Sequence, residues 1–281
     1  MTHKLGIIGY PLGHTYSPIF QQAALDALHI DARYEVWPTP PDQLPARIAA
    51  LRSADVLGCN VTVPHKEAVI PLLDQLDDAA RALKAVNTIV HRDGKLTGFN
   101  TDMPGFLESL RHEGHFEPVG KAAVIVGAGG SARAVAMGLA MAGASSITLL
   151  NRTVDRGTVL AQELNARGVR AEARSLDAEA LAQLQPDLLV NCTPYGMKGG
   201  DLEGQAPPVQ PLLRPSTLVV DLVYNPAETP LLRQAARLGA PTLGGLPMLV
   251  YQGAAAFRIW TGQEPPVDVM FNAIRKALGE K

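Results

Sequence analysis

Lys66 and Asp102 are ionisable residues of two types that can act together in catalysis. Each ends a polar run that follows an apolar segment, residues 60–66 in the first case and residues 98–102 in the second. An ammonium group stabilises the negative charge that hydride transfer builds on a ketone oxygen, and it can donate the proton. A carboxylate beside it holds the ammonium in place and accepts a hydrogen bond from a neighbouring hydroxyl. By residue type alone, Lys66 and Asp102 are a plausible proton donor and its partner, and no more. Residue types also leave open which group would move the proton, because a close pair titrates as a unit.

Both residues also have ordinary structural interpretations. Lys66 could be a solvated lysine at the start of a helix, and Asp102 could be the N-cap of the helix that follows it. Only the neighbouring motifs favour chemistry over these alternatives.

Hydroxyl and carboxamide side chains accompany the pair in clusters at the ends of apolar strands. The clusters are residues 9–18, residues 60–66, and residues 85–88 together with 98–102. Taken singly, each is also typical of a cap, a turn or an exposed charge. Together they supply groups that both donate and accept hydrogen bonds, which suits a small polyhydroxylated acid. Open α/β sheets bind ligands at the carboxyl ends of their strands, so we expect the clusters to share one edge.

A glycine-rich turn is the strongest motif by local pattern. Gly127, Gly129 and Ala132 match the G-x-G-x-x-A spacing between an apolar strand and a helix. Glycines permit the tight turn and the close approach of backbone to a pyrophosphate, whose charge the helix N-terminus stabilises. A tight turn without a ligand is the alternative. The predicted dinucleotide loop comprises Gly127, Ala128, Gly129, Gly130, Ser131 and Ala132.

The next strand ends in Asn151-Arg152-Thr153, with Arg156 one turn later. A site for NAD usually has a carboxylate at such a strand end, to bind the ribose 2′-hydroxyl. Here no carboxylate occupies the strand end, although Asp155 lies close by, and a 2′-phosphate would meet one or two guanidiniums. Thr153 is also a natural N-cap for the following helix. The sequence predicts NADP over NAD.

Apolar strands alternate with helical segments along the whole chain, which is typical of α/β proteins with mostly parallel sheets. Ser17 is a candidate N-cap, with Pro18 at the first helical position. Further helices are predicted over residues 42–51, within 62–86, and over 104–112, 248–260 and 267–278. The pattern changes after Asp102, and a glycine-rich joint at residues 243–247 precedes two closing helices. We therefore expect two α/β domains, residues 1–103 with 245–281 and residues 104–244, with the closing helices packing back on the first.

Composition excludes several classes of protein. The chain has 281 residues, 47% of them hydrophobic and 19% charged, with a formal net charge of −2. This balance gives no electrostatic reason to bind nucleic acid or an anionic membrane. Neither a secretory signal nor an apolar run of membrane-spanning length is evident, so we expect a cytoplasmic protein. Cys59 and Cys192 have the pattern of reduced core residues, and no metal is expected.

The ordered motifs resemble those of the shikimate dehydrogenase family. The resemblance covers the three polar clusters, the glycine loop and the strand end at 151–153. It continues through residues 191–197, 221–226, 245–252 and 260–262, in the family's order over nearly the whole chain. It implies a substrate domain, a Rossmann-like NADP-binding domain, and reversible reduction of 3-dehydroshikimate to shikimate by NADPH. The implied partner is the small-molecule substrate alone, for a monomer or a homodimer.

The resemblance also implies roles for individual residues. Lys66 and Asp102 match the catalytic pair, while Thr15 and Ser17 match the hydroxyls that hold the substrate carboxylate. The residues that match further substrate contacts are Asn60, Thr62, Asn87, Tyr224 and Gln252. Those that match cofactor positions outside the glycine loop are Asn151, Arg152, Thr153, Arg156, Thr193, Leu222, Gly245 and Met248.

Two departures from the family pattern leave alternatives open. Thr15 replaces a serine and adds a methyl group at the predicted carboxylate site, which leaves quinate open as a second substrate. Met103-Pro104 replaces a pair that contains glycine, and proline fixes φ there. Other candidates are a non-catalytic regulator that senses a shikimate-like ligand, and a two-domain Rossmann enzyme that acts on a folate. The first should have lost Lys66 or Asp102, and the second would not need Ser17, Asn60, Asn87 and Gln252.

Overall fold

The structure is a computed structural model that describes residues 2–13, 15–177 and 181–279. Its twelve strands form two separate six-stranded sheets. The chain divides into two compact units. One comprises Met1–Gly105 with Val250–Lys281, and the other comprises Phe106–Leu249. The chain thus leaves the first unit once and returns to it at its end.

The first sheet has the strand order β2-β1-β3-β5-β6-β4. Its strands are β1 (His3–Gly9), β2 (Ala32–Pro38), β3 (Val56–Val61), β4 (Gln75–Leu76), β5 (Thr88–Arg92) and β6 (Lys95–Phe99). The pairs β1–β2, β1–β3 and β4–β6 are parallel, while β5 runs antiparallel to both β3 and β6. The sheet is therefore mostly parallel, as the sequence predicts, with one reversed strand in its middle.

Helices cover this sheet. The chain supplies α1 (Ser17–Ala27), α2 (Leu44–Ala50), α3 (Asp78–Leu83) and the start of α4 (Asp102–His112). Buried apolar residues of α2 pack with those of β1, β3, β5 and β6 in one cluster, which includes Ile8, Ile48, Val61, Ile89 and Leu96. Consecutive residues of β1 and β3, 5–9 and 58–61, are buried, so both faces of these strands are covered, as expected for parallel strands of an α/β sheet.

The second sheet is parallel throughout and has the order β12-β11-β10-β7-β8-β9. Its strands are β7 (Ala122–Val126), β8 (Ser146–Leu150), β9 (Ala171–Arg174), β10 (Leu188–Asn191), β11 (Leu218–Asp221) and β12 (Thr242–Leu243). The described helices after them include α5 (Gly130–Met141), α6 (Val154–Asn165) and α7 (Pro230–Arg237). The strand order reverses between β7 and β10, which is the switch point of a Rossmann fold.

Two closing helices, α8 (Leu246–Thr261) and α9 (Val267–Leu278), end the chain. Helix α9 contacts α1, and the indole of Trp260 on α8 donates to the carbonyl of Ile89 on β5 at 2.9 Å. The prediction that these helices pack on the N-terminal α/β unit is confirmed. Among the described residues, no helix combines the length and apolarity that crossing a membrane requires.

The sequence misplaced some local details. Ser17 is the first residue of α1 and not its N-cap, because Tyr16 holds that position without a side-chain hydrogen bond. The helix predicted over 42–51 begins as a 3-10 turn, Pro41–Gln43, before α2. The segment 62–86 contains β4 as well as helical turns. Pairing with β6 creates this two-residue strand, and such a long-range contact leaves no local periodicity.

Candidate functional site

The polar clusters of the first unit meet at one edge of its sheet. Strands β1, β3 and β6 end at this edge, and the antiparallel β5 begins there, with Thr88 opposite Asn60 and Phe99. The residues after β1, β3 and β6 and the residue before β5 are therefore brought together. They include Ser17, Lys66, Asn87 and Asp102, and the first and last of these are 85 positions apart in the chain.

Lys66 and Asp102 form an ion pair with an Nζ–Oδ2 distance of 2.5 Å. The two side chains are 21% and 10% exposed, so the pair is accessible at one side and otherwise enclosed. The backbone also holds both residues: the Lys66 carbonyl accepts from the Val86 amide at 2.7 Å, and the Asp102 amide donates to Oδ1 of Asn100 at 3.1 Å. Although Asp102 is the first residue of α4, its carboxylate is directed to Lys66 and Asn87.

Asn87 connects the aspartate to its surroundings. Its Nδ2 group donates to Oδ1 of Asp102 at 2.8 Å and to Oγ1 of Thr101 at 2.9 Å, with Oε1 of Gln252 at 3.4 Å. Its Oδ1 accepts from the Thr101 amide at 2.8 Å and from the Thr88 hydroxyl at 3.1 Å. With this residue 2% exposed, the carboxylate of Asp102 is held in one orientation.

The predicted carboxylate-binding hydroxyls sit at the start of α1. Oγ1 of Thr15 accepts from the amide of Ser17 at 3.3 Å, so the two side chains are fixed relative to each other. Ser17 is 6% exposed, whereas Thr15 and Thr62 are half-buried. Thr62 lies against the end of β1, because a Cβ at Gly9 would come within 2.5 Å of its methyl group.

Asn60 is held by buried partners on both sides of its amide group. Its Nδ2 group donates to the carbonyl of Asn87 and to Oγ1 of Thr88, both at 3.2 Å. Its Oδ1 accepts from the Tyr34 hydroxyl at 2.6 Å, and the residue is 5% exposed. Both amide hydrogens of Asn60 are thus engaged within the protein.

Gln252 reaches the same region from α8. A Cβ at Gly105 would come within 2.5 Å of the Gln252 backbone nitrogen, so only glycine permits this approach of α4 to α8. The glutamine side chain lies beside Asn87 for this reason, although the two residues are 165 positions apart.

In the second unit, the glycine loop follows β7 at the switch point. Gly127 has a φ of +111°, a conformation that favours glycine, and Gly129 is the N-cap of α5. A Cβ built on Gly129 or Gly130 meets nothing within 4 Å, so the loop has open space beside its backbone. Gly130, Ser131 and Ala132 form the first turn of α5, where backbone amides have no partner within the helix.

The end of β8 carries positive charge without a compensating carboxylate. Among the residues that the structure describes, Arg152 and Arg156 have no ion pair or side-chain hydrogen bond and are exposed. Nδ2 of Asn151 donates to the carbonyl of Thr153 at 2.7 Å and shapes the turn. Thr153 is the N-cap position of α6, but its hydroxyl makes no capping bond and stays available.

The other predicted cofactor positions lie along the same carboxyl-terminal edge. Thr193, Leu222 and Gly245 follow β10, β11 and β12, and Met248 lies in the first turn of α8. A Cβ at Gly245 would come within 2.1 Å of the Leu222 carbonyl, and one at Gly127 within 3.2 Å of the Thr193 methyl group. These segments are in close contact with one another. Tyr224 lies two positions after Leu222, in the β11–α7 loop.

A buried carboxylate that local pattern did not single out supports this edge. Oδ1 of Asp221 accepts from Nδ2 of Asn191 at 2.9 Å and from the Val223 amide at 3.1 Å, and Oδ2 accepts from the Thr229 hydroxyl at 2.6 Å. Burial raises the pKa of Asp221 above its usual value, and these hydrogen bonds oppose the shift. Asn191 in turn binds the amide and hydroxyl of Thr193, so Asp221 positions the loops after β10 and β11 together.

The remaining titratable candidates have structural roles. His65 is 1% exposed, and its Nε2 atom lies 2.6 Å from the Thr39 carbonyl, so its ring packs inside the first unit. His112 pairs with Glu108 on the same helix. Cys59 and Cys192 are free thiols whose pKa values burial raises.

A Rossmann sheet with a glycine loop in one unit, and a Lys–Asp pair among hydroxyls and amides in the other, are the parts of a nicotinamide-dependent dehydrogenase. Family models agree: the shikimate dehydrogenase substrate binding domain matches residues 7–89, shikimate / quinate 5-dehydrogenase matches 113–194, and the shikimate 5′-dehydrogenase C-terminal domain matches 245–275.

Individual proteins give the same result. The chain is 44% identical over 282 residues to the shikimate dehydrogenase (NADP(+)) of Methanopyrus kandleri, covering 99% of this chain and 96% of the relative. It is 46% identical over 281 residues to that of Moorella thermoacetica, covering 99% and 94%. The crystal structure of shikimate 5-dehydrogenase from Thermus thermophilus in complex with NADP(H) and shikimate has a TM-score of 0.87 at 39% identity, covering 98% and 99%. The chain belongs to the shikimate dehydrogenase family.

Proposed function

We propose that this protein reversibly reduces the 3-keto group of 3-dehydroshikimate to shikimate with NADPH, and that Lys66 and Asp102 are its catalytic pair. The observation that carries the proposal is the 2.5 Å ion pair, enclosed by amides and hydroxyls at one sheet edge. The substrate follows from family membership, since many relatives of nearly full coverage carry this activity in their names.

The residues of the second unit fit NADP. The backbone of residues 127–132 offers unpaired amides and open space to a pyrophosphate, and Arg152 and Arg156 offer free guanidiniums to the 2′-phosphate. Thr193, Leu222, Gly245 and Met248 would line the remainder of the site. When bound, the reduced cofactor supplies the hydride. The protein supplies position and charge.

Lys66 acts on the ketone oxygen. Hydride transfer to the carbonyl carbon leaves an electron pair on that oxygen, and an ammonium within hydrogen-bonding distance stabilises the charge. Asp102 keeps Nζ directed to one place, because its own carboxylate is fixed from the other side by Asn87. Each carboxylate oxygen of Asp102 has a further lone pair, which can accept a hydrogen bond from a substrate hydroxyl. A water molecule or the pair itself delivers the proton that completes the alcohol.

The hydroxyls at the start of α1 hold the substrate carboxylate. The Ser17 amide donates to the Thr15 hydroxyl oxygen, so the two residues are adjacent and both would contact one anionic group. We take Asn60, Thr62, Asn87 and Gln252 as the contacts of the ring hydroxyls, and Tyr224 as a further substrate contact. Asn60 also donates to the Asn87 carbonyl and to Thr88, and so it positions its neighbours.

The domain roles follow from these assignments. The N-terminal unit with the closing helices is the substrate domain, predicted as residues 1–103 and 245–281, and residues 104–244 form the NADP-binding domain. Helix α4 begins with a catalytic residue and continues into the second unit.

A crossed activity assay tests the proposed function. Reduction of cofactor is followed at the absorbance band of the reduced nicotinamide, with shikimate or quinate as substrate and NADP⁺ or NAD⁺ as oxidant. We expect the highest kcat/KM for shikimate with NADP⁺. A preference for NAD⁺ would contradict the role of the arginines, and no turnover of either acid would contradict the reaction.

Quinate is the second candidate substrate. It stays a candidate because Thr15 adds a methyl group at the proposed carboxylate site. Thr15→Ser restores the family's hydroxyl without the methyl group. If Thr15 sets the choice of acid, the ratio of kcat/KM for the two acids changes in this variant while KM for NADP⁺ stays the same.

A further inference from the structure

A chain of hydrogen bonds leads from a buried tyrosine to the catalytic pair. The Tyr34 hydroxyl donates to Oδ1 of Asn60 at 2.6 Å and lies near the Ser17 side chain. From Asn60 the chain continues to Oγ1 of Thr88 at 3.2 Å, from Thr88 to Oδ1 of Asn87 at 3.1 Å, and from Asn87 to Oδ1 of Asp102 at 2.8 Å.

Every residue in this chain of hydrogen bonds is buried. Tyr34, Asn60, Thr88, Asn87 and Asp102 are each 7% exposed or less. Water cannot easily replace a lost partner there, so each bond constrains the orientation of the next group. A change at one end is therefore felt along the chain.

Tyr34 is well suited to fix that orientation. It lies on β2 opposite Leu5, with its ring 6.1 Å from the ring of Trp260 on α8. Burial raises the pKa of its hydroxyl well above the usual tyrosine value, although the bond from Ser17 opposes the shift. The group stays a neutral donor at every pH where the protein would work.

The donation from Tyr34 also decides which way the Asn60 amide points. Asn60 must present its oxygen to Tyr34, which leaves both amide hydrogens for the Asn87 carbonyl and Thr88. With phenylalanine at position 34, Oδ1 of Asn60 would lose its donor while remaining buried, and Ser17 would lose its neighbour.

We propose that Tyr34 is a positioning residue for substrate recognition. Its hydroxyl holds the Asn60 amide, and through Thr88 the amide of Asn87, in the orientations that the acid requires, and it does so without contacting the acid. This inference rests on the proposed function, because it takes Asn87 as a substrate contact.

The test is the Tyr34→Phe variant, which deletes one oxygen atom. We expect KM for shikimate to rise about tenfold, the size of effect given by one lost buried hydrogen bond. KM for NADP⁺ should stay within about twofold, because none of the altered bonds belongs to the cofactor unit. A purely structural role would lower the melting temperature without this split between the two KM values.

The matched control is Thr217→Val. Thr217 is fully buried in the second unit, and its hydroxyl donates to the Pro186 carbonyl at 2.7 Å, so the variant also loses one buried hydroxyl bond. It should lose stability while keeping both KM values. Thr88→Val interrupts the chain at another bond and should reproduce the rise in KM for shikimate if Tyr34→Phe folds poorly.

A double variant tests whether two substitutions raise KM for shikimate through the same chain of hydrogen bonds. If Tyr34 acts through Thr88, combining Tyr34→Phe with Thr88→Val should raise KM for shikimate little beyond Thr88→Val alone. Equal effects on both KM values, an unchanged KM for shikimate, or independent multiplication of the two effects would overturn the inference. Turnover by the wild-type protein tests the proposed function separately. If the wild type prefers another acid, the same ratios are measured with that acid.

Discussion

Lys66 carries the most chemistry of any single residue, and its ammonium has one carboxylate partner in the described structure, Asp102. We predict that Lys66→Ala lowers kcat by about 10²–10⁴-fold, the range typical for loss of a proton donor or charge stabiliser. Steady-state kinetics with saturating shikimate and NADP⁺ measure the change. Lys95→Ala, which removes an exposed lysine at the start of β6, is the control and should keep the wild-type rate. An active Lys66→Ala protein would remove the lysine from the mechanism.

Arg152 is the residue from which the choice of NADP is best tested. We predict that Arg152→Ala raises the dissociation constant of NADP⁺ by about 10–100-fold, as expected for a lost charge-assisted bond to phosphate. The constant for NAD⁺ should not change, because NAD⁺ lacks the 2′-phosphate. Titration calorimetry measures both. Arg167→Ala, an exposed arginine just beyond the other end of α6, is the matched control. Parallel weakening of both cofactors would show that Arg152 acts elsewhere.

The burial of the Cys59 thiol can be tested by its reactivity. It is fully buried, and burial raises the pKa of its thiol. An unfolded cysteine ionises near pH ~8.5, so stability is retained below that pH and is lost as pH rises above it. In a Cys192→Ser background, Cys59 is the sole thiol. At a pH of about 8 it should react with a disulfide reagent at least about a hundredfold more slowly in the folded protein than in urea. Comparable rates in the two states would contradict the burial.

At the scale of elements, the site depends on helices that approach closely. Gly253 on α8 faces Phe20 of α1, and a Cβ there would come within 2.3 Å of the Phe20 ring, which is fully buried. The residue before it, Gln252, is a proposed substrate contact. The packing of α8 on α1 therefore sets the position of a proposed ligand contact.

We predict that Gly253→Ala destabilises the protein by about 1–3 kcal/mol, because overpacking outweighs the gain in helix propensity. KM for shikimate should rise as Gln252 is displaced. Urea unfolding and kinetics measure the two effects. Gly13→Ala is the control for stability, since its Cβ would meet nothing within 4 Å. A Gly253→Ala protein of wild-type stability would show that the two helices can separate without cost.

At the scale of the whole molecule, the first unit is built from both ends of the chain. Helix α9 contributes Met270, Phe271 and Ile274, each 6% exposed or less, and contacts α1. Burying three such side chains stabilises by about 5–9 kcal/mol in sum, comparable with the whole stability of an ordinary domain. The second unit has a separate core of its own between sheet and helices.

Deleting residues 263–281 should therefore affect the two units differently. We predict that shikimate turnover is lost while NADP⁺ binding persists, because the glycine loop and its core remain intact. Calorimetry should show one thermal transition lowered or absent and NADP⁺ still bound. Retained shikimate turnover in the truncated protein would contradict the dependence of the first unit on α9.

Local pattern was enough for features made by neighbouring residues. The strand before Gly127 and the helix after it follow from apolar periodicity and glycine spacing, and α9 has the predicted bounds. The alternation of strands and helices indicated the α/β class. The NADP-type strand end at 151–153 is likewise readable from consecutive residues, because a short segment holds the whole signal.

Only the tertiary structure decided how distant residues meet. The antiparallel β5 brings Asn87 to the edge where Lys66 and Asp102 lie, and no local periodicity reveals that reversal. Tyr34 has the pattern of an ordinary core residue of a strand, and its role depends on a partner 26 positions away. Sequence periodicity reports which face of an element is buried, whereas hydrogen bonds between side chains depend on strand order and register. The residue types of the site were therefore fixed by the sequence, and their connection by the fold.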